Sequence, residues 1–338
     1  MTDLPTRPLG PFSVSAIGLG CMNLSHAYGV PPSEEDGAAL LNRALDLGVT
    51  LLDTAALYGF GKNERLIARS VMHRRAEFTL ASKCVLDVYD GKRGLDGSPE
   101  AIARTLDGSL ERLNTNHIDL LYLHRLDRRV PIEDSVGALV RAKEAGKIGA
   151  IGLSEMSAAT IERAHAIHPI AAVQSEYSPA VRNPEVAVLE TCRRLGIAFV
   201  AFSPVARGLL AGAVRGDDYT EHDLRLTMPR FMGDRLRHNL AVVDRFDALA
   251  ARLGIAPAQL SLAWLLSRGD HVVPIPGTRR IAHLEENVAA ASISLDEAAL
   301  GEIEEIFAPG AISGARYPAG AQAQIDTELL PDEELEAA

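Results

Sequence analysis

The chain has 338 residues, of which 47% are apolar and 23% charged, and its 45 acidic side chains outnumber 34 basic ones to give a formal charge of −11. This acidic balance excludes nucleic acid as the main partner, because duplex binding depends on a basic surface. No run approaches the roughly 18 consecutive apolar residues of a membrane span, and the first ten residues lack the apolar stretch of a signal peptide. We therefore expect a cytoplasmic protein that does not bind a membrane.

The cysteines indicate neither a disulfide framework nor a structural metal site. Cys21, Cys84 and Cys192 are odd in number and far apart in the sequence. No two of them have the short spacing of zinc ligands, so we expect free thiols in a reducing compartment and no bound metal.

Short apolar runs and helical segments alternate along the chain. Residues 4–14 are rich in proline and glycine, and we expect a small hairpin there that closes the bottom of a barrel. Eight apolar or β-branched runs then predict strands: residues 15–20, 50–54, 78–83, 118–124, 150–154, 171–176, 197–203 and 271–276. Apolar residues between them recur at helical spacing. Ser33, Ser98 and Asn183 are predicted to cap three of these helices.

Strands of this continuous apolar type, separated by helices, predict a parallel sheet that is buried on both faces. Eight such units fit an α/β fold, the (β/α)8 TIM barrel, with a long loop over residues 204–235 after the seventh strand. A doubly wound sheet is the alternative. Its dinucleotide fingerprint is incomplete, because Asn23 stands where a third glycine would follow Gly18 and Gly20.

The end of the chain differs from the rest in charge. Residues 317–338 contain six acids and no base, which is over half of the acidic surplus. We predict a single barrel domain over residues 1–316 and an acidic tail over residues 317–338 that lies over the barrel mouth. The charge of this tail favours a solvated segment.

Polar residues end the predicted strands, and a barrel builds its active site at this carboxyl-terminal face. In chain order they are Asp53, Lys83, His124, Ser154, Gln174, Glu176, Phe202 and Ser203, and Tyr58 lies in the loop after the second strand. Each has an ordinary interpretation when taken alone, such as a turn-forming Asp53, a snorkelling Lys83 or a buried His124. An Asp, a Tyr, a Lys and a His at one barrel mouth together favour chemistry over packing.

These four side chains are suited to protonating an oxygen. An ammonium beside a phenol stabilises the phenolate and lowers the pKa of the phenol, so Lys83 would make Tyr58 a usable acid. Asp53 would keep Lys83 charged, and His124 would hydrogen-bond a carbonyl oxygen and aim it at the phenol. No nucleophile–base pair and no paired histidine for a metal accompanies them. Carbonyl reduction, in which a cofactor delivers a hydride as the oxygen takes a proton, is the natural use of such a set.

Several motifs in chain order resemble those of the aldo-keto reductases. They are residues 52–64 (LDTAALYGFGKNE), 81–83 (ASK), 119–124 (DLLYLH), 152–155 (GLSE) and 172–178 (AVQSEYS). The last two are most similar to the subgroup that contains plant auxin-induced-protein-like reductases and their bacterial relatives. The resemblance covers residues 9–318.

This resemblance implies a (β/α)8 barrel that binds NADP(H) without a Rossmann domain. It also implies that Asp53, Tyr58, Lys83 and His124 form a catalytic tetrad in which Tyr58 is the general acid. We therefore predict an NADP-dependent oxidoreductase that reduces an aldehyde or ketone to an alcohol.

The resemblance further implies where the cofactor binds. Ser154 and Gln174 match positions that hold the nicotinamide carboxamide, and Phe202 matches an aromatic that stacks on the ring. Residues 203–212 (SPVARGLLAG) resemble the stretch that lies along the pyrophosphate. The implied cofactor contacts are Met22, Asp53, Ser154, Gln174, Phe202, Ser203, Pro204, Gly208, Leu209, Pro276, Gly277, Thr278, Arg279, Arg280, Glu286 and Asn287.

Residues 274–287 (PIPGTRRIAHLEEN) combine a strand, a Gly-Thr turn and a helix start, whose backbone amides and positive dipole suit a phosphate. The charges of Arg279 and Arg280 favour the 2′-phosphate of NADPH over NAD. By resemblance, Glu286 and Asn287 would hold the adenine.

The substrate is predicted to be a small carbonyl compound. Candidate pocket residues are Leu24, His26, Tyr28, Leu126, Asp127, Tyr219, Met228, Phe231 and Tyr317. The clustering of aromatic residues in the loops over residues 24–28 and 219–231 favours an apolar or aromatic aldehyde or ketone. Two alternative functions remain at this point: a lyase that uses Lys83 as a Schiff-base nucleophile, and a non-catalytic regulatory subunit that senses the cofactor.

Overall fold

A computed structural model describes residues 4–89, 92–331, 333 and 335–336. Its strands are β1 (Thr6–Leu9), β2 (Phe12–Ser15), β3 (Leu19–Gly20), β4 (Leu51–Asp53), β5 (Thr79–Cys84), β6 (Leu86–Tyr89), β7 (Lys92–Leu95), β8 (Ile118–Leu123), β9 (Ile148–Ser154), β10 (Ala172–Glu176), β11 (Ala198–Phe202) and β12 (Val272–Pro274). Its α-helices are α1 (Glu34–Asp46), α2 (Lys62–Val71), α3 (Pro99–Leu113), α4 (Ile132–Glu144), α5 (Ala158–Ile167), α6 (Val188–Leu195), α7 (Gly233–Leu253), α8 (Pro257–Leu266), α9 (Ile281–Ala289), α10 (Glu297–Ile306) and α11 (Ala319–Gln322).

Eight parallel strands form the barrel predicted from the sequence, in the order β3, β4, β5, β8, β9, β10, β11 and β12. The first and last of them meet through backbone hydrogen bonds, in which the Gly18 amide donates to Pro274 at 3.0 Å and the Gly20 amide donates to Pro276 at 3.3 Å. A Cβ on Gly20 would lie 2.8 Å from the Ile275 carbonyl oxygen. Glycine therefore permits the close approach that joins the two ends of the sheet.

The hairpin predicted at the bottom of the barrel is confirmed. Strands β1 and β2 pair antiparallel, and their buried Leu9 and Val14 belong to the same apolar cluster as Leu51 and Leu120 of the barrel strands. A second and larger apolar cluster lies between the sheet and the surrounding helices. The rigid barrel positions the strand ends at the opposite face, where the site is built.

Two of the three predicted helix caps are confirmed. The Ser33 hydroxyl accepts the Asp36 amide at 3.0 Å, and the Ser98 hydroxyl accepts the Ala101 amide at 3.3 Å. The prediction for Asn183 is wrong, because a 3₁₀ turn begins there and α6 starts only at Val188. The Asn183 side chain instead donates to the Glu328 carbonyl at 3.1 Å, and it is therefore used to hold the end of the chain.

Two features of the loops bear on the site. The long loop after β11 folds into three 3₁₀ turns over Ala206–Ala211, Leu224–Thr227 and Pro229–Phe231. The antiparallel pair β6 and β7, which the sequence interpretation missed, follows β5 and places residues at the barrel mouth. Strand β5 also runs one residue beyond Lys83, which is therefore the last but one residue of its strand.

The acidic end of the chain is not solvated as expected. Asp326 accepts hydrogen bonds from the Ser157 and Thr160 hydroxyls at 2.6 and 2.7 Å, and Glu328 accepts the Ala158 amide at 2.7 Å. These acids meet the N-terminus of α5, where unpaired amides and the helix dipole favour negative charge. Residues 311–331, which we call the C-terminal strap, are thus packed on the barrel. The division of the chain into a domain and a tail stays a prediction.

Among the described residues, no single helix has the length and apolar character that crossing a membrane requires. Helices α7 and α8 meet those criteria only when taken together, and they are bent by 86° at their junction.

Candidate active site

The polar strand ends converge on a cavity of about 580 Å³ at the carboxyl-terminal face of the barrel. Of the four residues predicted to act together, Asp53, Tyr58 and His124 line this cavity. Lys83 lies directly beneath them and is 1% exposed. The barrel register explains this convergence, since β4 and β5 are adjacent and β8 follows β5 in the sheet.

Lys83 is the centre of a buried polar cluster. Its ammonium forms an ion pair with Asp53 and donates to the Thr54 carbonyl at 2.8 Å and to the Tyr58 hydroxyl at 3.2 Å. The Gln174 amide donates to the second Asp53 oxygen at 2.7 Å. A buried carboxylate and ammonium need such complete pairing to remain charged.

The pKa of Tyr58 differs from the sequence-based expectation that Lys83 lowers it. Burial raises the pKa of Tyr58, and the opposing effect of the Lys83 charge leaves it above the ordinary value in this structure. The Lys83 effect has the predicted sign, but desolvation outweighs it. Burial alone would lower the pKa of Lys83, whereas the charge of Asp53 and the neighbouring phenol hold it above its usual range. Lys83 is therefore an ammonium at neutral pH.

His124 is held as a neutral imidazole. Burial, together with the positive charges of Arg125, Lys83 and Arg93, lowers the pKa of His124 well below its usual value. Its ring meets the Tyr58 ring edge to face, with 5.9 Å between centroids. Within the described part of the chain its buried Nδ1 atom has no hydrogen-bond partner. A neutral imidazole beside a phenol offers a hydrogen bond without adding charge.

The next part of the cavity is lined by the residues predicted to hold a nicotinamide. Ser154 at the end of β9, Gln174 in β10 and Phe202 at the end of β11 are neighbours in the sheet and all line the cavity. Glu155 lies outside the cavity lining; its carboxylate is fully buried and accepts from the Glu176 amide and from Arg316, both at 2.8 Å. It holds the C-terminal strap.

The C-terminal strap and the loop after β11 meet in a buried network of charged side chains. Arg316 bridges Glu155 and Glu176 at 2.8 and 3.3 Å, and Arg207 contacts Glu176 at 3.0 Å and the Tyr317 hydroxyl at 2.9 Å. The positive charges of Arg207 and Arg316 outweigh burial and lower the pKa of Glu176 to about 2. Arg207 and Gly208 both have left-handed backbone conformations, with φ of 57° and 92°. This loop is therefore fixed by the network where it passes the cavity.

The far end of the cavity carries positive charge and backbone donors. Gly277, Thr278, Arg279 and Arg280 line it together with Glu286 and Asn287 of α9. Arg279 donates to the Tyr28 and Val30 carbonyls at 3.0 and 2.7 Å, so it also fixes the loop after β3. Arg280 is exposed at the start of α9. Its guanidinium charge and the positive end of the helix dipole there suit a phosphate.

Most of the predicted cofactor contacts line this one cavity, including Met22, Ser203, Pro204 and Gly208. Leu209, which is buried in the core, and Pro276 lie outside its lining. Of the predicted substrate contacts, His26, Tyr28, Met228 and Tyr317 line it. The structure places the others outside the lining: Leu24, Leu126, Asp127, Tyr219 and Phe231.

Sequence reasoning missed several cavity residues. Arg125 directly follows His124 at the end of β8, and its position at a strand end was a signal that could have found it. Arg93 belongs to β7, and the Asp-Gly pair before that strand is a hairpin signal. Arg207, Arg225 and Leu86 also line the cavity.

Comparisons with known proteins agree with this architecture. The aldo/keto reductase family matches residues 16–308. The NADP(+) aldo-keto reductase yakc of Schizosaccharomyces pombe is 44% identical over 97% of this chain and 99% of its own length. A probable aldo-keto reductase of Glycine max is 40% identical over 90% of this chain and 89% of its own length.

Solved structures give the same result. A glycerol dehydrogenase from Gluconobacter oxydans superposes with a TM-score of 0.82 at 25% identity, covering 99% of this chain and 100% of that one. An aldo-keto reductase from Bacillus halodurans, solved in its holo form, gives a TM-score of 0.73 at 25% identity, covering 90% and 96%. The chain therefore belongs to the aldo/keto reductase family and is an oxidoreductase.

Proposed function

We propose that the protein reduces an aldehyde or ketone to an alcohol with NADPH, and that Tyr58 is the general acid. The observation that carries this proposal is the buried Lys83 ammonium, held by Asp53 and lying 3.2 Å from the Tyr58 hydroxyl at the wall of the cavity. A phenol beside a fixed ammonium is equipped to release a proton and to remain as a stabilised phenolate.

The residues of the cavity fit a phosphorylated nicotinamide dinucleotide. A hydroxyl, an amide and an aromatic ring (Ser154, Gln174 and Phe202) line one end, which suits a carboxamide and a flat ring. Arg280 and the start of α9 line the other end, which suits phosphate. The relative from Schizosaccharomyces pombe, whose name gives NADP(+), supports the same choice of cofactor.

The four residues have distinct roles in this proposal. NADPH held by the residues that line the cavity would supply the hydride that the carbonyl carbon accepts. Tyr58 donates its phenolic proton to the carbonyl oxygen, and Lys83 stabilises the phenolate that remains. Asp53 positions Lys83 and keeps it charged. His124 hydrogen-bonds the carbonyl oxygen as a neutral imidazole and orients it toward Tyr58.

The surroundings of Lys83 oppose the lyase alternative. A Schiff-base nucleophile must be a neutral amine that reaches the substrate. Lys83 is 1% exposed, lies outside the cavity lining and is kept charged by Asp53. Treatment with borohydride and a carbonyl substrate is therefore expected to leave Lys83 unmodified, and a trapped adduct on Lys83 would favour the lyase.

A two-stage experiment tests the proposed function. Fluorescence titration with NADPH and NADH measures which cofactor binds, and cofactor oxidation is then followed across a panel of aldehydes and ketones. We expect tighter binding of NADPH and turnover of at least one carbonyl. Tight NADPH binding without turnover of any carbonyl would instead support a cofactor-sensing regulatory protein.

A further inference from the structure

We propose that the substrate carries an anionic group, a carboxylate or a phosphate, which Arg125 and Arg93 bind at the Tyr58 end of the cavity. This inference rests on the proposed function and names the substrate class. It differs from the apolar carbonyl compound that the sequence favours.

Arg125 is placed where a substrate would meet the acid. It follows β8 directly after His124, is partly buried and lines the cavity beside Tyr58. One of its guanidinium nitrogens donates to the His124 carbonyl at 2.6 Å and lies 3.4 Å from the Ser154 hydroxyl. These contacts engage one nitrogen of the planar group and leave the rest of it to bind an anion.

Arg93 reaches the same end of the cavity from β7. Arg93 is exposed at the rim of the cavity that Arg125 also lines, and partial desolvation together with the positive charge of Arg125 lowers the pKa of Arg93. Both also contribute to the depressed pKa of His124. An anion bound at this end of the cavity would offset the two positive charges and gain charge-assisted hydrogen bonds.

Two other arginines that line the cavity, Arg207 and Arg225, are already neutralised, and Arg279 and Arg280 lie at its far end. Arg207 forms an ion pair with Glu176 at 3.0 Å, and Arg225 forms one with Asp223 at 2.7 Å. In the described part of the chain, no carboxylate lies within ion-pairing distance of Arg93 or Arg125.

The acids of the cavity cannot neutralise this pair either. Among the described lining residues they are Asp53, which Lys83 and Gln174 occupy, and Glu286, which belongs to α9 at the opposite end. A net positive charge therefore faces the place where the carbonyl oxygen would take its proton. A neutral substrate would leave this charge uncompensated, whereas an oxo acid or a phosphorylated aldehyde would compensate it.

The test compares charged substrates with neutral analogues. Succinic semialdehyde is paired with its methyl ester, and glyceraldehyde 3-phosphate is paired with glyceraldehyde, at saturating NADPH. The readout is the ratio of kcat/KM for the anion to that for its neutral partner. We expect at least one pair to favour the anion by roughly tenfold or more, which corresponds to one charge-assisted hydrogen bond. The pair with the larger ratio distinguishes carboxylate from phosphate.

Variants connect this preference to the two arginines. Arg125→Met should lower the ratio by roughly tenfold or more, mainly through KM, and Arg125→Lys should retain part of it because the charge remains. Arg93→Met should lower the ratio in the same direction. Arg163→Met, which removes an exposed arginine paired with Glu133 on the helices, is the matched control and should leave the ratio unchanged.

The outcomes separate this inference from the reductase proposal. Equal kcat/KM within both pairs, or equal losses for anion and neutral analogue in Arg125→Met, would overturn the anion site and leave the reductase intact. If no carbonyl is turned over, the reductase proposal fails, and calorimetry with butanoate and butanamide on the protein saturated with NADP(+) decides the anion site. Butanoate binding that Arg125→Met abolishes supports it, and no preference for butanoate contradicts it.

Discussion

The buried pair of Asp53 and Lys83 gives the sharpest prediction about stability. The Lys83→Met variant removes the ammonium and leaves the Asp53 carboxylate, whose side chain is 3% exposed, with the Gln174 amide as its remaining side-chain donor. Leaving one partner of a buried ion pair uncompensated costs about 3–5 kcal/mol. We therefore expect Lys83→Met to lower the free energy of unfolding by about this amount.

The double variant should recover much of that loss. Asp53→Asn combined with Lys83→Met leaves no buried charge, and replacing a complete buried pair is often nearly neutral. The two substitutions should then be non-additive, with a coupling free energy of about 2–3 kcal/mol. Turnover should not recover, because the Tyr58 phenolate would still lack its ammonium.

Urea unfolding of the wild type, both single variants and the double variant measures this cycle. Circular dichroism and intrinsic fluorescence should give coincident transitions, which justifies extracting free energies. If the losses in free energy of unfolding simply add, so that the double variant is less stable than either single variant, the reasoning is refuted. Recovery of turnover in the double variant would refute the role assigned to Lys83.

Three further predictions concern the strap, the cofactor and pH. Arg316→Met leaves Glu155 and Glu176 buried without their shared cation, so it should destabilise the protein by about 3–5 kcal/mol and speed proteolysis of the strap in limited digestion. Arg280→Met should raise the Kd for NADPH roughly tenfold and that for NADH less than threefold, as measured by fluorescence titration. Because the pKa of His124 lies well below its usual range, kcat for reduction should show no ionisation near pH 6–7, where a histidine of ordinary pKa of about 6.5 would titrate.

Each of these has a control or a contradicting result. Arg128→Met removes an exposed guanidinium from Asp326, which is mostly buried but keeps the Ser157 and Thr160 hydroxyls as donors, so this variant should cost no more than about 1 kcal/mol. If it lowered the free energy of unfolding as much as Arg316→Met does, the buried network would have no special role. Equal loss of NADPH and NADH affinity in Arg280→Met would contradict a 2′-phosphate contact. A fall of kcat centred near pH 6.5 that a His124→Gln variant abolishes would contradict the neutral imidazole.

Much of the barrel could be predicted because its signals are local. Each barrel strand is a short apolar run, and the residue that ends it lies at the carboxyl-terminal face whatever the rest of the chain does. The strand ends therefore bring Asp53, Lys83 and His124 together from three separate segments. Tyr58 lies in a loop whose position no periodicity determines; its role as an acid follows from the chemistry of a phenol beside an ammonium, and the family resemblance adds its place in a tetrad.

The features that were not predicted depend on contacts between distant segments. Arg316 can be buried because Glu155 and Glu176 pair with it. Both acids are far from Arg316 in the sequence, so no sequence pattern reveals these contacts. The charge pattern alone therefore predicts a solvated acidic tail where the structure has a packed strap. The pKa of Tyr58 likewise depends on how far burial outweighs the charge of Lys83. That balance follows from the three-dimensional surroundings of the phenol and cannot be read from the sequence.

The role of Tyr58 as the proton donor is the central claim, and one comparison tests it most directly. NADPH oxidation by wild type and Tyr58→Phe is measured with the best carbonyl substrate, and NADPH binding is titrated in parallel. The phenyl ring keeps the packing and removes the proton, so we expect kcat to fall by roughly 100-fold or more, in the range of general acid catalysis, with NADPH affinity retained. A Tyr58→Phe variant that turns over at the wild-type rate would contradict the account.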